Sequence, residues 1–244
     1  MNFLVFEQIT KSFSKKSVLN EVSFYVRKGE IFGFVGRSGG GKSTLLNILT
    51  GLSRADSGKI FLDGKEVTRN TKFLKQNIGF VSQTDSLFPE LTLRENCFYF
   101  GNLYSVKKDL MQTRFNKLCN ILNLNSVKDK KLSVFSGGMV KRANILVSLI
   151  HFPELLILDE PTTGLDAILR DNLWSYIKKL NKSEKISVLL VTHLLDEVEN
   201  NCDSVGILKK GKIVAFAPLE DYQKKYPGRN FKEVFEGIIN YESI

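Results

Sequence analysis

The sequence predicts an α/β fold, a parallel sheet with helices packed on its faces. Short, almost unbroken apolar runs at 31–35, 155–158 and 187–191 have the length and composition of strands buried on both faces. Stretches with helical spacing of their apolar residues alternate with them, and strand–helix alternation of this kind builds parallel sheets. The N-terminal quarter differs, reading as β with little helix.

Residues 3–9 and 18–26 are rich in Val, Ile, Phe and Leu and alternate in part with polar residues, as half-buried strands do. Arg27-Lys28-Gly29-Glu30 turns the chain into the buried strand 31–35, and a glycine cluster then leads into a helix over 42–52. Further strands fall at 58–62 and 78–81. The middle changes character, because 92–104, 110–122 and 136–150 have helical spacing and few β-branched residues. The strand at 155–158 is followed by a helix at 168–180, a strand at 187–191, a helix at 194–200 and a β pair at 205–208 and 212–215. Helices at 219–225 and 231–239 complete the pattern, with no internal repeat or low-complexity linker.

Composition narrows the function. The 244 residues are 43% hydrophobic and 25% charged, which excludes a disordered or fibrous chain and leaves one large domain or a domain with subdomains. The formal charge of +9 points to an anionic partner: nucleic acid, nucleotide or a lipid surface. Uncharged stretches such as 144–153 fall short of the roughly 20 apolar residues that cross a bilayer. The opening Met1-Asn2-Phe3-Leu4-Val5-Phe6-Glu7 has no basic leader, so no signal peptide is expected. Three scattered cysteines (Cys97, Cys119, Cys202), no CxxC and two histidines argue against a disulfide framework or a zinc site and for a reduced, cytosolic setting.

Gly36-Arg37-Ser38-Gly39-Gly40-Gly41-Lys42-Ser43-Thr44 matches GxxxxGK[ST] between an apolar strand and a helical pattern. A chain that wraps a phosphate must turn tightly and aim backbone N–H groups and a helix N-terminus at it, which side chains in the loop would obstruct. Lys42 supplies a point charge for the β- and γ-phosphates, and the Ser43 hydroxyl is a ligand for Mg²⁺. A second strand, Leu155-Leu156-Ile157-Leu158, ends in Asp159-Glu160. Beside a phosphate loop, Asp159 is suited to hold Mg²⁺ directly or through water, and Glu160 to polarise an attacking water.

With these motifs in place, nearly the whole chain resembles the ATP-binding subunit of ABC transporters. Gln83 follows 79–82 as the family's Q-loop does, Phe135-Ser136-Gly137-Gly138-Met139 resembles the signature motif, and Thr163-Gly164-Leu165-Asp166 resembles the D-loop. His193, after 187–192, resembles the switch histidine, and Phe13 falls where the family places an aromatic that stacks on adenine. The resemblance implies one domain over 1–244: a P-loop NTPase (RecA-like) parallel-sheet core, an N-terminal antiparallel β subdomain, an inserted α-helical subdomain at about 85–150 and a C-terminal helical extension at about 219–244. It also implies ATP and Mg²⁺ as ligands and a head-to-tail dimer, homo- or heteromeric. In that dimer Ser136, Gly137 and Gly138 meet the γ-phosphate held by the partner's phosphate loop, Glu160 is the base, and His193 bonds the γ-phosphate. Gln83 senses Mg²⁺ and the attacking water, and Asp166 links the two sites. Integral-membrane permease subunits would be partners, placing the chain peripherally on the cytoplasmic face of the membrane.

Ser-Gly-Gly-Met followed by Lys141 and Arg142, together with Leu91-Thr92-Leu93-Arg94-Glu95-Asn96 and 231–239, resembles the branch that exports drugs, antibiotics and lipids. Phe135 and Met139 replace the usual Leu and Gln, and Met lacks the amide hydrogen bonds of Gln. Arg37-Ser38-Gly39 is closer to importers. Phe13 is read as an adenine contact or a core residue, and Phe88 and Leu91 as a groove for a permease helix or as subdomain packing. His151 and Trp174 are expected to be structural. A soluble ABC ATPase acting on nucleic acid or ribosomes is the alternative function, although 42–136 has room only for a small helical subdomain. A P-loop kinase would leave Ser-Gly-Gly and Asp166 without a role.

Overall fold

A computed structural model of the chain describes residues 2–14, 16–84 and 86–240. The expected limits at residues 1, 85 and 241–244 therefore lie outside the described residues. In order, the elements are β1 (Asn2–Phe13), β2 (Lys16–Arg27), β3 (Ile31–Gly36), α1 (Lys42–Leu49), β4 (Ser57–Leu62), β5 (Lys65–Glu66), α2 (Thr71–Asn77) and β6 (Ile78–Val81). Next come α3 (Leu93–Leu103), α4 (Lys108–Ile121), a 3-10 turn (Leu132–Val134), α5 (Gly137–Ser148), β7 (Leu155–Asp159), α6 (Ala167–Glu184) and β8 (Ser187–Val191). The last are α7 (Leu195–Asn201), β9 (Ser204–Lys209), β10 (Lys212–Pro218), α8 (Leu219–Lys225) and α9 (Phe231–Asn240). They form two units, Met1–Lys75 with Ser187–Ile244, and Gln76–Ile186.

In the first unit, β3 lies between β8 and β9 and is parallel to both, while β10 returns antiparallel along β9. Every residue of β3 and β8 is buried, as their apolar runs require. A separate antiparallel sheet of order β2-β1-β4-β5 alternates buried and exposed positions. The two sheets share an aromatic column: Phe24 of β2 stacks on Phe6 at 4.5 Å and on Phe32 and Phe34 of β3 at 5.4 and 5.2 Å. β1 runs four residues past the apolar stretch 3–9, because polar Lys11 and Ser12 still pair with Leu19 and Ser17 of β2. That extension carries Phe13.

In the second unit, β6 and β7 pair in parallel, Ile78 to Leu155 and Val81 to Leu158. α3 begins with a reciprocal cap: Glu95 N–H donates to the Thr92 hydroxyl, and Thr92 N–H donates to the Glu95 carboxylate. Arg114 of α4 is buried, donates to the Leu149 carbonyl, pairs with Glu184 of α6 and lies over the Phe152 ring. A buried cation is tolerated only when it is paired and bonded in this way. His151 is structural, as expected: its Nε2 lies 3.1 Å from the Ile78 carbonyl and its ring stacks on Tyr104 at 3.8 Å. Burial lowers its pKa to about 4. Trp174 is buried on α6, also as expected.

Candidate functional site

The first unit carries the phosphate loop. β3 ends at Gly36, where a Cβ would sit 2.5 Å from the Leu208 carbonyl, so the loop leaves the sheet against the backbone of β9. Gly41 takes φ 110°, and a Cβ there would meet Leu19 Cδ2 at 2.8 Å and the Val18 carbonyl at 2.9 Å. Only glycine meets both conditions cheaply. Gly40 N–H donates to the Arg37 carbonyl, and the Gly40 carbonyl accepts from Gly211 N–H at 3.2 Å. Lys42 Nζ spans the loop from inside, donating to the Gly36 carbonyl at 2.6 Å and the Arg37 carbonyl at 3.3 Å. α1 starts at Gly41 with no side-chain cap and no acidic residue in its first turn. Its partial positive end is therefore not offset by a carboxylate of its own first turn. Ser43 is exposed in that turn, and Ser38 and Gly39 are exposed on the loop.

The same unit carries His193 and Phe13. Thr192 N–H donates to the Phe34 carbonyl at 3.4 Å, so β8 delivers His193 to the edge of the parallel strands where β3 delivers the phosphate loop. Ligands of parallel α/β sheets sit at the carboxyl ends of the strands. His193 is exposed there. Phe13 is 51% exposed, which excludes the core reading. It ends β1 opposite Lys16, on the hairpin whose return strand borders Gly41, and Lys11 Nζ lies 5.3 Å from its ring centroid.

The second unit gathers the other candidates. Because Val81 pairs with Leu158 in parallel, Gln83 leaves β6 at the same edge where Asp159 and Glu160 leave β7. Glu160 takes φ 51°, the left-handed region in which a residue with a Cβ is strained. Thr163 braces it, the hydroxyl donating to Glu160 Oε2 at 3.4 Å and the Thr163 N–H to the Glu160 carbonyl at 3.3 Å. Ser136 is the N-cap of α5 and makes no side-chain cap bond, and Gly137 beside it is exposed with open space where a Cβ would lie. Gly138 is buried against Leu169. Asp166 caps α6, its carboxylate accepting from Leu169 N–H at 2.9 Å.

Three contacts were not foreseen from the sequence. Lys141 of α5 donates to the Gln83 carbonyl at 3.2 Å, joining the signature helix to the Q-loop position. Arg142 donates to the carbonyls of Gly138, Leu122 and Asn123 and lies over Tyr176, fixing the start of α5. Asn96 is fully buried: its Oδ1 accepts from Phe88 N–H, and its Nδ2 donates to the Phe88, Leu91 and Thr92 carbonyls. It therefore clamps 88–92 onto α3. Phe88 itself is partly exposed and meets Tyr99 edge-on at 5.1 Å.

A family description, ABC transporter, matches residues 19–163, from the second strand through both acidic positions to Thr163. The chain belongs to the ABC transporter family. It is 36% identical over 234 residues to the linearmycin resistance ATP-binding protein LnrL of Bacillus subtilis, covering 96% of this chain and 75% of that one. The Nod factor export ATP-binding protein I of Bradyrhizobium diazoefficiens is 35% identical over 232 residues, covering 95% and 76%. A solved ATP-binding subunit of an ABC transporter superposes with a TM-score of 0.85 at 26% identity, covering 97% of this chain and 99% of that one. An ABC transporter cassette in its ADP conformation gives 0.84 at 26% identity, with the same coverage. This chain is accordingly an ATP-binding and ATP-hydrolysing ABC subunit with the P-loop NTPase fold. Subunits of this kind work with membrane permeases. No helix among the described residues is long and apolar enough to cross a membrane. The relatives and structures named above are transporter ATPases, so the nucleic-acid alternative gains no support from them.

Proposed function

We propose that this chain is the ATPase subunit of an exporter, working as a dimer on the cytoplasmic face of the membrane beneath integral-membrane permease subunits. The export direction is supported by its likeness to a resistance protein and an export protein over more than nine-tenths of its length. Phosphate binding is supported by the loop itself, where glycine geometry, the bridging Lys42 and the N-terminus of α1 all favour an anion. Lys42 and Gly36, Ser38, Gly39, Gly40, Gly41 and Thr44 hold the phosphates, and Phe13 stacks on adenine. Ser43, Asp159 and Gln83 offer oxygen ligands, the donor type that Mg²⁺ takes. Bound Mg²⁺ neutralises charge on the β- and γ-phosphates. Glu160 accepts the proton of the attacking water, and His193 donates to the γ-phosphate.

Ser136, Gly137 and Gly138 of a second subunit supply donors at the N-terminus of α5, as trans-supplied groups do in other phosphoryl-transfer enzymes. Asp166 couples the two sites from its position at the start of α6. ATP favours the closed dimer, and the difference in its affinity for the closed and open states drives the permease. A mixing experiment tests this reading. Ser136→Ala and Lys42→Ala should each lose Mg²⁺-dependent hydrolysis as pure proteins and recover part of it when combined, because one mixed site then holds an intact loop and an intact signature. No recovery in a mixture shown to dimerise would overturn shared sites. Glu160→Gln should bind ATP, accumulate as an ATP-bound dimer and turn over little.

A further inference from the structure

α3 and α4 are joined by a short, ordered corner. α3 ends in a preformed cap: Ser105 takes φ 57°, Val106 N–H donates to the Gly101 carbonyl at 3.0 Å, and Ser105 N–H donates to the Asn102 carbonyl at 2.9 Å. α4 begins at once, with Met111 N–H donating to the Lys107 carbonyl. The two helices cross so closely that a Cβ on Gly101 would lie 2.4 Å from Met111 Sδ. Residues 103–110 therefore connect the two helices beyond a tight crossing, in a turn ordered by backbone bonds.

That turn presents side chains a globular surface rarely gathers on one short segment. Leu103 is 64% exposed and Leu110 54%, with Tyr104 also exposed between them. Exposed apolar residues scattered singly need no explanation, but Leu103, Tyr104 and Leu110 are three within one short helix-to-helix connection. Lys107 and Lys108 stand between the leucines, are exposed, and enter no ion pair among the described residues. Tyr104 is held by its stack on His151.

We propose that this corner inserts Leu103 and Leu110 into the headgroup boundary of an anionic bilayer while Lys107 and Lys108 pair with lipid phosphates. Exposed Asp109 offsets one of the two lysines and leaves the turn net positive, and the +9 net charge has the sign that an anionic surface attracts. Because the turn is already ordered by backbone bonds, contact requires little further ordering. The inference rests on the membrane-peripheral reading above, but its test needs no permease.

The full chain is mixed with phosphatidylcholine vesicles with and without 30% phosphatidylglycerol, and binding is measured by sedimentation at low salt. Binding is expected only to the anionic vesicles and should fall in 0.5 M NaCl. Lys107→Ser with Lys108→Ser should weaken it about 20-fold, and Leu103→Ser with Leu110→Ser at least about tenfold. ATP hydrolysis, measured in parallel, should not change in either variant. Absent binding by the parent chain, equal binding to neutral vesicles, or variants that bind like the parent each overturn the proposal. Missing hydrolysis in the parent chain would instead count against the ATPase reading. A second measurement does not depend on multiple substitutions. Leu103→Cys is labelled with a polarity-sensitive dye, the native Cys97, Cys119 and Cys202 being buried. Emission should shift to the blue on anionic vesicles, and an unchanged spectrum refutes insertion.

Discussion

Replacing Glu160 by glycine should raise stability while abolishing turnover. The backbone there sits at φ 51°, a conformation that costs a residue with a Cβ about 1–2 kcal/mol. Glycine removes that cost but adds about 0.5–1 kcal/mol of unfolded-state entropy, so the net gain is about 0–1.5 kcal/mol. In a chain of this length about 1 kcal/mol moves Tm by about 2–4 °C. Glu160→Ala is the control, since it deletes the same carboxylate but keeps the Cβ in the left-handed region. Glycine should therefore melt above alanine by about 2–4 °C, the reverse of their order in ordinary helical positions. Thermal unfolding followed by circular dichroism reads the stability. Mg²⁺-ATP hydrolysis reads the chemistry, where loss of a general base costs about 10²–10⁴. An alanine variant that melts above the glycine variant would refute the strain argument, and hydrolysis within a few-fold of the parent would refute the base.

Lys42→Ala should weaken ATP binding more than tenfold, because a charge-assisted phosphate contact is worth about 1.5–3 kcal/mol; equilibrium binding of a fluorescent ATP analogue checks it. Asn96→Ala should lower the unfolding free energy by about 2–3 kcal/mol, read as a lower denaturant midpoint at an unchanged m-value, since it leaves the Phe88 N–H and carbonyl without the buried partner they have now. His151 has a folded pKa of about 4, below its unfolded value near 6.5. Its contribution is complete above pH 6.5 and is lost as pH falls toward about 4, because the unfolded chain takes up the proton first. Stability should accordingly fall by on the order of 2–3 kcal/mol across that window, and His151→Phe, which keeps a ring beside Tyr104, should flatten the slope.

The parts legible in the sequence were those encoded in a few consecutive residues. Almost unbroken apolar runs at 31–35 and 187–191 mark buried strands because both faces of each are covered. The phosphate loop is legible because its backbone needs constrain neighbouring positions directly. α2 escaped because it is seven residues long and buries only Leu74, too little for a period to show. The length of β1 was underestimated because Lys11 and Ser12 are held by strand pairing rather than by apolar burial. At the candidate site, the left-handed Glu160 has no sequence signature, since glutamate is not a residue that announces such a turn. The Lys141 bond to Gln83 joins residues 58 positions apart, which no local pattern reports. Asn96 stood in view within Leu91-Thr92-Leu93-Arg94-Glu95-Asn96, but only burial reveals that it clamps 88–92.

The interleaving of the two units has a consequence for how the protein is made. The phosphate loop sits at the end of β3, whose hydrogen-bonded neighbours β8 and β9 lie beyond residue 186. During synthesis the ribosome must produce the whole of 76–186 before those neighbours exist, an interval on the order of ten seconds at about 5–20 residues per second. Throughout that interval a strand whose every residue is buried in the finished fold is without its sheet. Nascent chains halted between about residue 80 and residue 185 should therefore hold chaperones and aggregate, and chains extended past β9 should release them.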